Sequence, residues 1–517
     1  MSRQKRTVLC GGMVIDGTGA PARPADVAVV GDRIADVGDI AAGGDDAVLD
    51  VTGLTVAPGF HDIHTHYDLE LLARPAHLDG LRQGVTTYQI AECGLGFAPA
   101  SAATHAEFRT YLACLAGTDD VPPWTTIAEY QALYERNAVV NCVSMVPHGI
   151  VRAEVMGMTA GAASPAQLDA MKHLVRVAME QGARGLTTGL TYFPSCEADT
   201  DELVALAQVV AEYGGVYVTH LRSYSNTMLE AIDEAGEIGR HAGVPVQISH
   251  LRPRGPLVGR GAEVLARIDA IRQGGVDMAF DNYTYLKGCT LMAAFVLPPD
   301  AYAGGVTVAL DTLRDPARRD DLRARMPNED WTQVHIANVP SAKNRHVAGM
   351  TLAAFAESRG TDVFEACVEL LIDEELCVSA VGGVIDEDDL RRNFKHPCSY
   401  IGSDSIPAGG HRHPRACGCF ARYLGHYVRE ERLLPLEEAV RRITSAAARR
   451  FGLTDRGVLA AGMAADITVF DPATIADRAT YEQPLTPSEG VHHVLVNGQL
   501  VLRDGRLTDA RPGCVLG

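Results

Sequence analysis

The two ends of the chain alternate apolar and polar positions in a way that the middle does not. Residues 26–30 and 33–37 predict one β-hairpin, and residues 491–496 and 499–502 predict another across the turn Asn497-Gly498. Strand-rich ends around a different central pattern favour a small β-sandwich built from both termini.

The middle of the chain repeats a short apolar strand followed by an amphipathic helical stretch. Helices are predicted at residues 165–181, 200–213, 227–241 and 262–273. The predicted strands end near eight residues, which are His66, Cys93, His148, Tyr192, His220, His250, Tyr283 and Asp404. This alternation predicts an α/β fold, a (β/α)8 TIM barrel whose functional residues lie at the carboxyl ends of the strands.

These patterns also predict the domain boundaries. We expect the sandwich to comprise residues 1–56 plus 447–517, and the barrel to comprise residues 57–446. The chain between strands seven and eight is far longer than one crossover needs, so we expect an inserted lid or subdomain at about residues 287–345.

The composition of the chain indicates which cellular compartment and which kinds of partner to expect. The formal net charge of −19 disfavours nucleic acid and anionic membrane surfaces as partners, but not a small anionic substrate in a locally positive pocket. No secretory signal pattern and no apolar run long enough for a membrane span are found in the sequence. Twelve irregularly spaced cysteines favour a reducing, cytoplasmic compartment. A homo-oligomer is compatible with this composition, and the oligomeric state stays open.

One short stretch, residues 59–66 with the sequence GFHDIHTH, contains the first chemical pattern. The apolar run at residues 54–60 predicts a buried strand that leads into His64 and His66. Alternate residues of a strand face the same side, so both imidazoles are expected to point into one cavity. Such a pair suits zinc or a similar divalent metal, although two structural histidines would explain it as well.

Three further strand ends add candidate ligands. Cys93 follows strand two, His220 ends strand five and His250 ends strand six. A nearby metal lowers the pKa of a thiol, so a cysteine beside histidines is a suitable ligand. Packing alone does not explain four histidines and a cysteine at the strand ends of one barrel, and we therefore expect a metal site.

Strand eight contributes an acid. Asp404 follows an apolar run and precedes a glycine-rich loop. A carboxylate in this position can accept a proton from water and pass it to a leaving amine. We therefore assign Asp404 as the general acid and base, with an ordinary loop carboxylate as the alternative.

Together these positions resemble the amidohydrolase superfamily, and within it the D-aminoacylases, the N-acyl-D-amino-acid deacylases. The resemblance covers almost the whole chain and rests on residues 59–68, 84–99, 182–194, 217–222, 247–252 and 413–430. It implies a zinc-dependent hydrolase that cleaves the amide bond of an N-acyl-D-amino acid or a closely related compound with metal-activated water. It also implies one tight zinc site at Cys93, His220 and His250, and a second, weaker site at His64 and His66.

The resemblance implies a substrate carboxylate held by a lysine, a tyrosine and a serine. Tyr283 matches the tyrosine, whereas Arg252 replaces the lysine and Cys289 falls where the serine would be. Glu92 stands where an asparagine is common, and Arg415 matches a family position that we expect to help position the substrate. The expected partner is therefore a small N-acylated compound with a carboxylate, whose identity and hand stay open.

Two other functions stay open. Cyclic amidases of the hydantoinase or imidase type use the same scaffold, but many bridge two metals with a carboxylated lysine from strand four. Residues 185–192, the predicted strand four, contain no lysine. The second alternative is a catalytically silent assembly protein, although loss of activity usually removes part of such a ligand set.

Overall fold

The computed structural model describes residues 6–116, 121–135, 137–327, 329–407 and 411–517. The strands in these ranges are β1 (Arg6–Cys10), β2 (Met13–Val14), β3 (Arg23–Pro24), β4 (Asp26–Val30), β5 (Arg33–Gly38), β6 (Ala47–Asp50), β7 (Thr55–Pro58), β8 (Phe60–Asp62), β9 (Val85–Ile90), β10 (Asn141–Ser144), β11 (Val146–Pro147), β12 (Gly185–Gly189), β13 (Val216–His220), β14 (Val246–Ile248), β15 (Met278–Asn282), β16 (Gly288–Leu291), β17 (His335–Asn338), β18 (Ser379–Gly382), β19 (Ser399–Ile401), β20 (Ile467–Phe470), β21 (Val491–Val496), β22 (Gln499–Arg503) and β23 (Arg506–Leu507).

The helices lie between these strands, and a π-helix at Tyr423–Glu430 follows the seventeenth of them. The α-helices are α1 (Glu70–Ala73), α2 (Leu78–Leu81), α3 (Ala102–Tyr111), α4 (Ala113–Ala116), α5 (Ile127–Tyr134), α6 (His148–Met156), α7 (Pro165–Glu180), α8 (Thr200–Glu212), α9 (Met228–Ala242), α10 (Gly261–Gln273), α11 (Ala293–Val296), α12 (Gly305–Arg314), α13 (Pro316–Ala324), α14 (Leu352–Arg359), α15 (Val363–Asp373), α16 (Glu387–Lys395), α17 (Arg415–Arg422), α18 (Leu436–Ile443) and α19 (Ser445–Arg450). Among the described residues, no helix combines the length and the apolar character that a bilayer crossing requires.

Within the described ranges, parallel strands form a closed eight-position barrel. The order is β8, β9, β10 with β11, β12, β13, β14, β15 and β19. The short strands β10 and β11 share the third position, because β10 pairs with β9 and β11 pairs with β12. A parallel bridge between Thr65 and Ser405 closes the circle. The predicted α/β fold, a (β/α)8 barrel, is confirmed.

Side-chain caps determine where two of the crossover helices begin. Ser164 accepts a hydrogen bond from the backbone of Gln167 before α7, and Asp199 accepts one from Glu202 before α8. Such caps satisfy backbone donors that the first helical turn leaves unpaired. Because these signals are local, the predicted bounds of the crossover helices agree with the structure to within one or two residues.

Strands from both ends of the chain form the two sheets of the sandwich. One sheet has the order β23-β22-β21-β20-β7-β2-β3, and the other has the order β5-β4-β1-β6. Val27, Ile34, Val56, Ile467 and Leu495 belong to one buried apolar cluster, so residues from both termini share this core. The two predicted hairpins are confirmed as β4 with β5 and β21 with β22.

The predicted strand at residues 54–60 is wrong, because this run forms two strands in different sheets. β7 pairs with β20 in the sandwich, whereas β8 pairs with β9 in the barrel. Gly59 lies between them, and a Cβ atom there would lie only 2.1 Å from Thr86 Oγ1. Both strands are buried throughout, so one apolar run concealed the change of sheet.

A three-stranded antiparallel sheet lies between barrel strands seven and eight. Its order is β16-β18-β17. The sequence predicts an insertion that ends at about residue 345, whereas β18 lies later, at Ser379–Gly382. A short apolar strand carries no local indication of a partner so far away in sequence, so the pairing of β18 with β16 and β17 could not be predicted. The division into domains itself stays a prediction.

Candidate metal centre and active site

Two groups of metal-donor atoms meet at the carboxyl end of the barrel. His64 Nε2 lies 3.3 Å from Cys93 Sγ, which lies 3.5 Å from His250 Nε2. On the other side, Asp404 Oδ1 lies 3.5 Å from His64 Nε2 and 3.3 Å from His66 Nε2. Within each group the donor atoms lie within 4.8 Å of one another, and His64 belongs to both groups.

The fifth predicted ligand lies beside the first group. His220 Nδ1 is 3.0 Å from His250 Nε2, and His220 Nε2 is 2.8 Å from Thr191 Oγ1. The structure therefore brings all five predicted ligands and Asp404 into one cluster. The donor set matches what zinc takes in proteins, which is imidazole nitrogen, thiolate sulfur and carboxylate oxygen.

The geometric reason for this meeting differs from the predicted one. β8 ends at Asp62 and β14 ends at Ile248, so His64, His66 and His250 lie just beyond their strands, whereas His220 is the last residue of β13. Strand alternation therefore does not place His66 beside His64. The backbone that follows β8 and β14 brings these side chains together instead.

Three site residues have left-handed backbone conformations. The φ angles are 54° at Cys93, 33° at His250 and 51° at Asp404. Residues other than glycine rarely take positive φ, and they keep it only where the surroundings hold them. Such strain at three members of one cluster points to a functional constraint on their side-chain directions.

The surroundings keep most of the imidazoles neutral, the form that binds a metal. Burial lowers the pKa of His66, lowers that of His220 to about 3, and lowers that of His250 well below its usual range. Burial also raises the pKa of the Cys93 thiol to about 12. A cation at the sulfur acts in the opposite direction and favours the thiolate.

Asp281 is a functional residue that the sequence reasoning missed. Its Oδ1 lies 3.3 Å from His64 Nδ1 and accepts a 2.9 Å hydrogen bond from the backbone N–H of His250. Burial lowers the pKa of His64, but Cys93, Asp281 and Asp404 together raise it well above its usual range. A carboxylate behind a histidine fixes the direction of the ring. Its place in β15 (MAFDN), two residues before Tyr283, was the signal that could have found it.

Arg415 binds Asp404 directly. Its Nη1 lies 2.8 Å from Asp404 Oδ2, and its side chain is fully buried. Burial alone raises the pKa of Asp404, but the Arg415 guanidinium and the histidines lower it well below its usual range. The carboxylate is thus ionised and held in place. The sequence predicts that Arg415 helps to position the substrate, whereas the structure places it against the carboxylate of Asp404.

A cavity of about 770 Å³ opens over the cluster. Tyr283, Arg252 and Cys289, all predicted to contact the substrate, line its wall. Arg252 Cζ lies 4.0 Å from the centroid of the Tyr283 ring, and its Nη2 donates to the carbonyl of Leu286. Its Nε and Nη1 are buried and have no hydrogen-bond partner within the described residues. The Arg252 side chain thus lines the cavity with two donors that the described part of the protein leaves unpaired.

Cys289 and Glu92, which both differ from the residues expected in D-aminoacylases, lie in different parts of the site. Burial raises the pKa of Cys289 to about 12, so the cavity wall carries a neutral thiol there. Glu92 lies outside the cavity wall, fully buried, and its Oε1 accepts a 2.7 Å hydrogen bond from Gln89 Nε2. Cys289 is therefore placed to affect contacts with the substrate. Glu92 is placed to affect the residues that pack beneath the candidate metal ligands.

Fold and donor set define a barrel hydrolase of the metal-dependent type. Residues 47–502 match the model of the amidohydrolase family, and the chain belongs to this family.

Within this family, the chain is similar to deacylases over almost its whole length. The chain is 36% identical to the N-acyl-D-glutamate deacylase of Alcaligenes xylosoxydans xylosoxydans, over 100% of this chain and 97% of that protein. It is also 36% identical to the D-aminoacylase of the same organism, over 98% and 97%. The crystal structure of N-acyl-D-glutamate deacylase from Bordetella bronchiseptica, complexed with zinc and a phosphonate inhibitor, matches with a TM-score of 0.83. That match has 34% identity and covers 100% of both chains. The resemblance to D-aminoacylases is confirmed.

Proposed function

We propose that this chain is a zinc-dependent hydrolase that cleaves the amide bond of N-acyl-D-amino acids. The observation that carries the proposal is the pair of donor groups that share His64, one with Cys93 and the other with Asp404. The names of the relatives, N-acyl-D-glutamate deacylase and D-aminoacylase, support the same activity. β12, the fourth barrel strand, contains no lysine, which disfavours the lysine-bridged chemistry of many cyclic amidases.

The residues divide the metal site between them. Cys93 and His250, with His220 beside them, would hold the first zinc, and His66 would serve a second position with the shared His64. When bound, zinc supplies Lewis-acid polarisation of the scissile carbonyl and lowers the pKa of water at the site.

Asp404 moves the protons. As an ionised carboxylate it accepts a proton from the attacking water, and it then donates that proton to the nitrogen of the leaving amine. Its Oδ1 faces the histidines while Arg415 holds its Oδ2, so the proton is exchanged at Oδ1. Arg415 is a positioning residue, because it keeps the carboxylate oriented without touching the reacting bond.

Arg252 and Tyr283 orient the substrate. The unpartnered Nε and Nη1 of Arg252 suit a carboxylate, and a guanidinium can bind both of its oxygens. Fixing the α-carboxylate at one wall and the scissile carbonyl at the donor cluster leaves one hand of the α-carbon with its acyl nitrogen correctly directed. In this proposal, Cys289 and Arg415 only surround the contact between the substrate carboxylate and Arg252.

Hydrolysis assays test the proposal. Zinc-loaded protein is expected to release amine from N-acetyl-D-amino acids, with little activity on the L-isomers or on hydantoins. Activity on hydantoins alone, or undiminished activity after metal removal, would contradict it. We further propose a cytoplasmic location, because the cysteines form no disulfide in the part of the chain that the structure describes.

A further inference from the structure

The cavity over the donor cluster has two walls of different chemistry. One wall carries the polar side chains that follow the fifth and sixth barrel strands, Arg222 and Arg252 among them. The other wall, here called the apolar wall, consists of Leu95, Tyr111, Leu115, Phe295 and Tyr302. Each of these five residues is at most 5% exposed, so the apolar wall is enclosed rather than open to bulk water. The cavity can therefore hold a carboxylate on one side and a hydrocarbon on the other.

Two separate parts of the chain build the apolar wall. Leu95 follows β9, and Tyr111 and Leu115 lie on α3 and α4. Phe295 and Tyr302 lie in the segment that follows β16, on α11 and on the short 3₁₀ turn at Pro299–Tyr302. The rings of Tyr111 and Tyr302 meet edge to face with centroids 5.2 Å apart, and α4 packs against β16. The insertion thus closes over the second strand end and leaves apolar surface toward the cavity.

The apolar wall and Arg252 lie on opposite sides of the barrel. β9 is the second of the eight strand positions and β14, which precedes Arg252, is the sixth. The donor cluster lies between them, and the scissile carbonyl is proposed to bind there. A trans amide directs its acyl carbon and its α-carbon to opposite sides of the C–N bond. A substrate with its α-carboxylate at Arg252 therefore extends its acyl group toward the apolar wall.

From these relationships we infer that the enzyme prefers N-acyl-D-amino acids with a long hydrocarbon acyl chain, bound along the apolar wall. The inference rests on the proposed function, because it needs the carboxylate at Arg252 and the carbonyl at the donor cluster. The cavity volume of about 770 Å³ is in the range that suits drug-sized ligands. An acetyl group leaves most of the apolar wall against water, whereas a fatty acyl chain removes that surface from water.

A series of acyl lengths tests the inference. We compare kcat/KM for N-acetyl-, N-butanoyl-, N-hexanoyl- and N-octanoyl-D-alanine on the zinc-loaded protein. Each added CH₂ group is expected to raise kcat/KM by up to about fourfold, the value for full burial of a methylene. We expect octanoyl to exceed acetyl by at least about 30-fold, because burial along the wall is only partly complete. Equal values across the series overturn the inference and leave the deacylase activity in place.

An isomeric substrate tests which end of the molecule the apolar wall binds. N-octanoyl-D-alanine and N-acetyl-D-2-aminononanoate have the same atoms, but the second carries its hydrocarbon on the α-carbon. We expect kcat/KM to favour the octanoyl isomer by at least about tenfold, since only its chain points toward the apolar wall. Equal values, or a preference for the long side chain, would assign the wall to the amino-acid side chain and overturn the inference.

Two variants of Leu115 test the wall itself. Leu115→Trp fills the space along α4, and Leu115→Ala removes contacts with the chain, so both are expected to lower the octanoyl-to-acetyl ratio of kcat/KM. We expect a loss of at least about tenfold in the tryptophan variant and a smaller loss in the alanine variant, which serves if tryptophan prevents folding. Leu370→Ala is the matched control, because it removes an equally buried leucine from α15, outside the cavity wall. A ratio unchanged in both Leu115 variants, or lowered as much in the control, overturns the inference.

A binding measurement separates this inference from the proposed function. N-heptanesulfonyl-D-alanine and its isomer N-methanesulfonyl-D-2-aminononanoate are sulfonamides, which an amidase does not cleave, so calorimetry can measure their Kd on the zinc-loaded protein. Tighter binding of the heptanesulfonyl compound by at least about tenfold, reduced in Leu115→Trp, supports the inference even if no amide is hydrolysed. Equal affinities of the two isomers overturn it, whatever the enzyme hydrolyses.

Discussion

Arg415 Nη1 lies 2.8 Å from Asp404 Oδ2, while Asp404 Oδ1 lies 3.3 Å from His66 Nε2. The two oxygens of one buried carboxylate therefore have different neighbours. One is fixed by a permanent cation, and the other faces the donor atoms of the proposed metal site. This division keeps the acid ionised and leaves one oxygen free to exchange a proton.

Replacing the acid tests this division. Asp404→Asn is expected to lower kcat by roughly two to four orders of magnitude, the usual range for a general acid and base. Zinc content and circular dichroism are expected to change little, because the amide keeps the shape of the side chain. Asp32→Asn, an exposed change in the sandwich, is the control. If kcat in Asp404→Asn stays within a few fold of the wild type, another group moves the proton.

Removing the guanidinium tests how Asp404 is kept ionised. Arg415 favours the charged carboxylate, so Arg415→Met is expected to raise the pKa of Asp404. Activity needs the ionised acid, so the acidic limb of the kcat/KM profile is expected to move to higher pH. Arg415→Lys keeps the charge and is expected to move the limb less. A profile that is unchanged in Arg415→Met would show that the histidines and the metal alone set this pKa.

Metal content tests the two donor groups separately. Cys93 belongs only to the first group and His66 only to the second, whereas His64 belongs to both. We expect purified protein to carry about one tightly held zinc, Cys93→Ala to lose it, and His66→Ala to retain it. His64→Ala is expected to weaken both positions. Elemental analysis that finds equal zinc in Cys93→Ala and His66→Ala would mean that the tight site is assigned wrongly.

The barrel and its strand-end residues could be predicted because both depend on local patterns. Apolar runs, amphipathic spacing and caps such as Ser164 lie within a few residues of the elements that they define. Since all parallel strands of a barrel end on one face, predicting the strands was enough to bring Cys93, His220 and Asp404 together.

What could not be predicted depends on partners that are distant in sequence. Burial at residues 55–62 hid the passage from sandwich to barrel at Gly59, because the apolar pattern is the same on both sides. The contacts of Arg415 with Asp404 and of Asp281 with His64 join separate elements of the chain, so no local period relates the partners. Charge in the sequence likewise does not show that Arg415 pairs with a carboxylate whereas the Nε and Nη1 of Arg252 have no partner within the described residues.

The remaining prediction concerns the first carboxylate of the substrate. Arg252→Ala is expected to lower kcat/KM by about 1.5–3 kcal/mol of transition-state stabilisation, the cost of one hydrogen bond to a charged group. Arg252→Lys is expected to recover part of this loss, because the charge returns without the planar fork of donors. Arg325→Ala, on the same wall but already paired with Asp300, is the control.

A change in the substrate makes this assignment sharper than the variants alone. Converting the α-carboxylate of a good substrate to a carboxamide removes the charge that Arg252 is proposed to bind. With the wild type, we expect this change of substrate to lower kcat/KM about as much as the Arg252→Ala substitution lowers it for the original substrate. The two losses should not add when both changes are made, because each removes the same contact. If the wild type hydrolyses the acid and the carboxamide equally well, Arg252 does not bind the α-carboxylate, and its buried, unpartnered Nε and Nη1 require another ligand.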